Sequence, residues 1–183
     1  MSLIVSIIPE FLNKAPITKH SIFLSFLCIL LMLTPAAAFS GGGSGTEGDP
    51  YQITDANQLQ EMKNNPAAHY ILMNEIDASG TSAWNSGAGF EPVGTVSNKF
   101  AGSFDGLNYT ITGLYINRPS TDYVGLFGSL DGGSIGNVRL ENVNVTGNSN
   151  VGGLVGFYVY SGIIRNAYLT GDVTGYSDVG GLV

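Results

Sequence analysis

Val151-Gly-Gly-Leu-Val-Gly156 recurs as Val179-Gly-Gly-Leu-Val183 and, more loosely, as Val124-Gly-Leu-Phe-Gly128. The leucines that anchor these stretches, Leu126, Leu154 and Leu182, are each 28 residues apart. Between them, Ile135-Gly-Asn-Val-Arg-Leu140 matches Ile164-Arg-Asn-Ala-Tyr-Leu169, and Val145-Thr-Gly147 matches Val173-Thr-Gly175. Small internal shifts compensate, so the overall period holds. A sustained period of roughly 20 to 50 residues marks a solenoid or array, whose units bury their apolar faces only against one another.

Within a unit the spacing is that of strands. Val138, Leu140, Val143 and Val145 alternate with Arg139, Asn142 and Asn144, while Glu141 falls at an irregular step between two short strands. Ala167 and Leu169 flank Tyr168 in the same way. Period-two runs separated by Gly, Asn and Asp fit short strands joined by sharp turns. No amphipathic helical stretch fits between them, which excludes βαβ architectures. The expected fold is all-β: a right-handed parallel β-helix of 28-residue coils over residues 100–183, three short strands per coil, with equivalent residues stacked about 4.8 Å apart.

The preceding stretch, 49–99, reads differently. Asp49–Ile53 predicts a strand, and Asp55–Asn64 a helix with Asp55 and Gln58 as a capping pair. Ala56, Leu59 and Met62 share one face of that helix, and Pro66 stops it. Tyr70–Met73 predicts a further strand. A small helix-bearing segment ahead of a solenoid suits an N-terminal cap, which must cover a bare rung and an open apolar core. Residues 39–48, rich in Gly and Ser, read as a flexible leader.

Ile22–Leu33 is a short apolar run preceded by Lys14, Lys19 and His20 and followed by Ala36-Ala37-Ala38. A basic flank, a short apolar block and an A-x-A site describe a secretory signal peptide over residues 1–38, cleaved after Ala38. The run is shorter than the roughly 20 residues that a membrane span needs. Export of this kind predicts a secreted or cell-surface location. Cys28 leaves with the signal, so the remaining chain has no disulfide and no thiolate chemistry. That remainder carries Lys63, Lys99, Arg118, Arg139 and Arg165 against thirteen acidic residues. So few cations cannot neutralise a run of phosphates, which excludes nucleic acid as a partner. Gly, Asn, Ser and Thr make up 63 of its 145 residues, which means either disorder or a turn-rich repetitive β structure; the regular apolar positions select the second.

The Val-Gly-Gly-Leu-Val stretches, with Ile164-Arg-Asn-Ala-Tyr168 and Gly171-Asp-Val-Thr-Gly175 between them, resemble the GLUG repeat. Phe100–Leu114 is similar to the element that leads into such repeats, as are Gly48–Tyr51, Glu75–Asp77 and Phe90–Gly94 to the segment before it. The resemblance covers residues 48 to 183. It implies a module of a large bacterial or archaeal surface protein, of the haemagglutinin-like adhesin kind or the non-catalytic N-terminal region of an IgA-cleaving metallopeptidase. Phe157-Tyr158-Val159-Tyr160 departs from the family, which has a polar turn there.

Catalytic signatures are sparse. His69 is the one histidine after residue 38, so a zinc-peptidase helix with two histidines is absent. Catalysis by a serine triad would also have to rely on His69. A polysaccharide-acting enzyme needs two carboxylates at a fixed separation beside a groove. Glu75, Asp77, Glu91 and Asp105 are the candidates. Asp122, Asp131, Glu141, Asp172 and Asp178 fit turn roles, since Asp in a Gly-rich turn bonds its own backbone. No calcium-loop motif occurs. The expectation is therefore no catalytic residue, no cofactor and no metal, in a structural or adhesive module whose partners are surface or matrix glycans or proteins. Asn137 and Asn166, at equivalent places, predict an asparagine ladder from rung to rung. Tyr158, Tyr160, Tyr168 and Tyr176 could offer a sugar-stacking surface. Asn108-Tyr-Thr110 and Asn144-Val-Thr146 are glycosylation sequons. Because the chain stops at Val183 inside its third Val-Gly-Gly-Leu-Val stretch, further repeats of the same chain are expected beyond it.

Overall fold

The computed structural model describes residues 38–159 and 161–183. The apolar run 22–33, on which the expectation of a signal peptide rests, lies outside the described residues, as does Tyr160. The described chain is mostly β. In order come β1 (Tyr51–Ile53), helix α1 (Ala56–Glu61) with a 3-10 turn (Met62–Asn64), β2 (His69–Leu72) and β3 (Ile76–Asp77). After 3-10 turns over Ser79–Gly87 follow β4 (Ser103–Asp105), β5 (Thr110–Thr112), β6 (Tyr115–Asn117), β7 (Phe127–Leu130) and β8 (Ser134–Thr146). The last strands are β9 (Ser149–Gly152), β10 (Val155–Tyr158), β11 (Ile163–Thr174) and β12 (Ser177–Gly180).

Every pair between these strands is parallel, and the register forms long rows. Tyr51 sits opposite Tyr70, Tyr70 opposite Phe104, Phe104 opposite Ile135, and Ile135 opposite Ile164. A second row runs Ile76, Ile111, Leu140, Leu169, and a third Ile116, Val145, Val173. Each row is apolar because parallel pairing puts equivalent side chains on the same face, rung above rung. The expected pairing of Val145 with Val173 is seen directly. Leu126 and Leu154 are fully buried, and Leu182 packs half-buried against the same core. Backbone bonds from Leu154 N–H to Leu182 O (3.1 Å) and from Phe127 N–H to Leu154 O (2.8 Å) hold the three motif copies in step.

The motif's glycines have a steric reason. A Cβ at Gly156 would lie 2.5 Å from the Val124 nitrogen one coil away, and one at Gly125 2.7 Å from the Gly152 carbonyl oxygen. Neighbouring coils therefore close on each other at this corner to a distance that only glycine permits.

One local expectation is refined and another corrected. The short strands expected on either side of an irregular step at Glu141 are joined in one bent strand, β8 (Ser134–Thr146), whose ladder to β11 skips Asn137, Glu141 and Asn142. It bends where Asn137 (φ 51°) and Asn142 (φ 54°) take left-handed backbone. Asparagine adopts this conformation more readily than most residues, so the strand turns two corners without ending. Opposite Asn142 the ladder slips by one residue between Leu169 and Gly171, and the Asn142 N–H donates to Thr170 Oγ1 (3.2 Å). This bulge absorbs the difference between the 29-residue and 28-residue spacings.

The Gly/Ser-rich stretch 39–48, read as a flexible leader, is instead folded onto β1. Gly42 bridges Gln52 in antiparallel sense, with Gln52 N–H donating to Gly42 O (2.8 Å). The Phe39 ring lies 4.5 Å from that of Tyr51 and 5.9 Å from that of Tyr70. An antiparallel segment on the first strand covers an edge that would otherwise template further pairing.

Helix α1 starts where Asp55 accepts the N–H groups of Asn57 (2.8 Å) and Gln58 (2.9 Å). Gln58 reaches back to the N–H of Thr54 (2.6 Å), one residue before the cap. Leu59 and Met62 are fully buried beneath the helix. The parallel rows cross residue 100 without a break, so the capping segment and the repeats share one core.

Candidate functional site

The carboxylates proposed for catalysis are each engaged locally, in different ways. Glu75 accepts the Thr110 backbone N–H. Asp77 accepts the Ser79 N–H (2.9 Å), and the Ser79 side-chain and backbone bonds hold its carboxyl below the usual range. Glu91 pairs with Lys63, and its backbone is bracketed by Gln60, whose amide accepts from Glu91 N–H and donates to Glu91 O, both at 2.8 Å. Asp105 accepts the Leu107 N–H (2.9 Å) and an amide proton from Asn137 (3.0 Å). These bonds tie strand ends and turns together. His69 Nδ1 lies 2.7 Å from Ser103 Oγ, a half-buried contact across β2 and β4, so this histidine staples two rungs. Among the described residues, no cluster of three or more His, Cys, Asp or Glu could hold a metal ion.

The asparagine ladder is present, and it starts one rung earlier than expected. Asn166 donates to Asn137 (2.9 Å), which donates in turn to Asp105 (3.0 Å). A second polar stack joins Lys99, Asp131 and Ser161: Lys99 Nζ lies 3.1 Å from Asp131, and Ser161 donates to its other oxygen at 2.7 Å. These two partners, Ser161 first, hold the Asp131 carboxyl below its ordinary range.

Tyr158, Tyr168 and Tyr176 are exposed on different segments of the last coil, and no ring contact joins any two of them among the described residues. Tyr158 donates to Gly162 O, and the Arg139 guanidinium lies 5.4 Å over the Tyr168 ring. Asn108 and Asn144, the sequon asparagines, are both exposed.

The structure adds a site that was not read from the sequence. A cleft of about 510 Å³ opens between the loop 91–97 and the turn 118–123. Its walls include Pro92, Thr95, Val96, Ser97, Arg118, Asp122 and Tyr123. Arg118 is anchored by its Nε–H to Phe90 O (3.1 Å). Among the described residues, Lys63, Lys99 and Arg139 pair with carboxylates, whereas Arg118 has no carboxylate partner. Asp122 is turned to its neighbouring coil, accepting from Asn148 Nδ2 (2.7 Å) and Ser149 N–H (3.2 Å).

Tyr123 has left-handed backbone, φ 61°. The same corner of the next two coils carries Asn150 (φ 56°) and Asp178 (φ 53°). Asn and Asp visit this region with local support, whereas an ordinary residue costs about 1–2 kcal/mol there. Tyr123 packs edge-on against Phe157, ring centroids 5.1 Å apart. The sequence signal for this position lay in the residue that precedes the valine of each motif copy: Tyr, Asn, Asp.

A stack of parallel rungs with local polar ladders defines a repeat protein of mostly β structure. Residues 147–174 match the family model described as the GLUG motif, so the chain carries a GLUG repeat. It is 44% identical over 150 residues to halomucin of Haloquadratum walsbyi, covering 77% of this chain and 2% of that protein. It is 35% identical over 141 residues to a protein of Evansella cellulosilytica named as a Gly-rich membrane protein, covering 70% of this chain and 16% of the other. Among solved structures it resembles a protein from Bacteroides ovatus assigned as an immunoglobulin A1 protease. The TM-score there is 0.56 at 25% identity, over 70% of this chain and 40% of that one. The chain thus spans only a small part of the curated relatives it matches.

Proposed function

We propose that this chain is an exported structural and adhesive module, a right-handed parallel β-helix displayed at the cell surface as part of a larger protein. The observation that carries the reading is the unbroken parallel register from Tyr51 through Tyr70, Phe104 and Ile135 to Ile164. Parallel connections within one sheet are overwhelmingly right-handed, which supplies the hand. Such a stack is extended by adding coils and stiffened by ladders, which suits a spacer that holds something away from a surface. Its likeness to halomucin and to a Gly-rich membrane protein supports a surface location. No helix among the described residues is long and apolar enough to cross a membrane. The separate engagement of Glu75, Asp77, Glu91 and Asp105 favours a non-catalytic role over polysaccharide cleavage. The likeness to the Bacteroides ovatus protein supports a second reading, the non-catalytic region of a surface peptidase.

The deciding experiment is to stain intact cells of the source organism with antibody raised against residues 39–183. Labelling of unpermeabilised cells, removed by external protease, is the expected result. Labelling only after permeabilisation overturns the reading.

A further inference from the structure

We propose that the cleft between the loop 91–97 and the turn 118–123 is a binding site for an acidic sugar, a pyranose bearing a carboxylate. Three independent features of the site point to that chemistry. First, Arg118 supplies a fixed cation. Its Nε–H is held by Phe90 O, which orients the guanidinium while leaving its two terminal amino groups for a ligand. The other basic side chain near this wall, Lys63, is already committed to Glu91. Neither carboxylate of the rim competes for the guanidinium, since Glu91 faces Lys63 and Asp122 faces Asn148 and Ser149. A planar guanidinium with free donors is the side chain best matched to a carboxylate.

Second, the cleft offers apolar and hydroxylated surface together. Pro92, Val96 and Tyr123 provide faces against which the C–H side of a sugar ring can lie, and Val96 is 47% exposed. Thr95, Ser97 and Thr121 add hydroxyl-bearing residues to the lining; the Thr95 and Ser97 hydroxyls bond each other (3.2 Å), and Thr95 Oγ1 also accepts the Asn98 N–H (3.0 Å). Sites for small polar ligands combine apolar walls with a few convergent polar groups in this way.

Third, Tyr123 occupies a corner position whose backbone favours Asn or Asp, the residues found there in the following coils. A strained residue held where an unstrained one would serve is an observation that points to function. Tyr123 lines the cleft, whereas the later coils carry short polar residues at this corner. The proposal does not depend on surface display or on the handedness of the coil.

The test is saturation-transfer NMR on the full chain with three probes: galacturonic acid, N-acetylneuraminic acid and neutral galactose. The expected result is transfer to the ring protons of at least one acidic sugar and little to galactose. The acid that binds more tightly separates a uronate-bearing polysaccharide from a sialylated glycan as the source. Arg118→Gln keeps a donor but removes the charge, and should weaken the acidic sugar about tenfold or more at unchanged melting temperature. Tyr123→Asn restores the residue type of the later coils and should abolish transfer without loss of stability. Equal transfer to all three sugars, no transfer to either acid, or undiminished binding by Arg118→Gln in a folded protein would each overturn the proposal.

Discussion

Replacing Leu154 by alanine probes the stack more directly than any other change. Leu154 is fully buried, with Leu126 fully buried in one neighbouring coil and Leu182 half-buried in the other. Its backbone N–H is bonded to Leu182 O, so the main chain on both sides is fixed and the site can collapse only partly. Truncation then costs the transfer free energy of the lost carbons plus a cavity, about 2–5 kcal/mol in all. A loss near 3 kcal/mol lowers the melting temperature by roughly 6–12 °C for a domain of this size. Leu182 is only half-buried against the same core, and its truncation should cost less, about 1 kcal/mol. Thermal and urea unfolding of Leu126→Ala, Leu154→Ala and Leu182→Ala would give the profile. Losses should follow burial, largest at the fully buried Leu126 and Leu154 and smaller at Leu182. Equal costs for Leu154→Ala and Leu182→Ala, or a cost below about 1 kcal/mol for Leu154→Ala, would show that the leucines do not stack as described.

Other changes test the polar elements. Asn137→Ala removes both the ladder bonds to Asp105 and Asn166 and the residue suited to φ 51°, whereas Asn137→Gly removes the bonds alone. The glycine variant should therefore be the more stable in urea, by about 1 kcal/mol. The pair Glu75→Gln and Asp77→Asn should leave the fold and any ligand binding intact; polysaccharide depolymerisation by the parent chain that this double change abolishes would refute the non-catalytic reading. Asp131 has a depressed folded pKa, so its contribution is present above the unfolded value of 3.8 and is lost as pH falls through the folded value below it. Asp131→Asn should accordingly lose less stability than the parent between about pH 6 and pH 3, read from paired melts at low salt, where exposed ion pairs are least screened.

Much of this architecture was legible because the stack repeats its apolar positions. The 28-residue spacing of the leucines and the pairing of Val145 with Val173 follow from rungs that must place like side chains over like. The Asn137–Asn166 contact was legible for the same reason. The joining of these short strands into one bent β8 was not, since a chain that turns at Asn137 and Asn142 and resumes its pairing after each turn looks, in one dimension, like separate strands. Residues 39–48 misled because glycine and serine suggest mobility, whereas a Cβ at Gly41 would lie 2.3 Å from the Gln52 carbonyl oxygen. Glycine there permits close packing on β1. The cleft escaped notice because Arg118 and Tyr123 carry no motif; their meaning comes from the loop opposite, more than 20 residues earlier in the chain.

The position of that cleft follows from the way the coils vary in length. Along the first apolar row, Tyr70, Phe104, Ile135 and Ile164 are separated by 34, 31 and 29 residues. The rungs themselves cannot lengthen, because each side chain must meet its counterpart one coil away. Extra residues therefore leave the stack as loops, and the longest coil carries the loop 91–98 that forms one wall of the cleft. The regular coils, where the GLUG motif matches at 147–174, contribute a uniform wall stabilised by ladders. Recognition is then expected where the repeat is least regular, and stiffness where it is most regular. Shortening the loop 94–98 to the length of the later turns should erase the cleft and its proposed ligand. The parallel rows on either side should remain intact, with the melting temperature little changed.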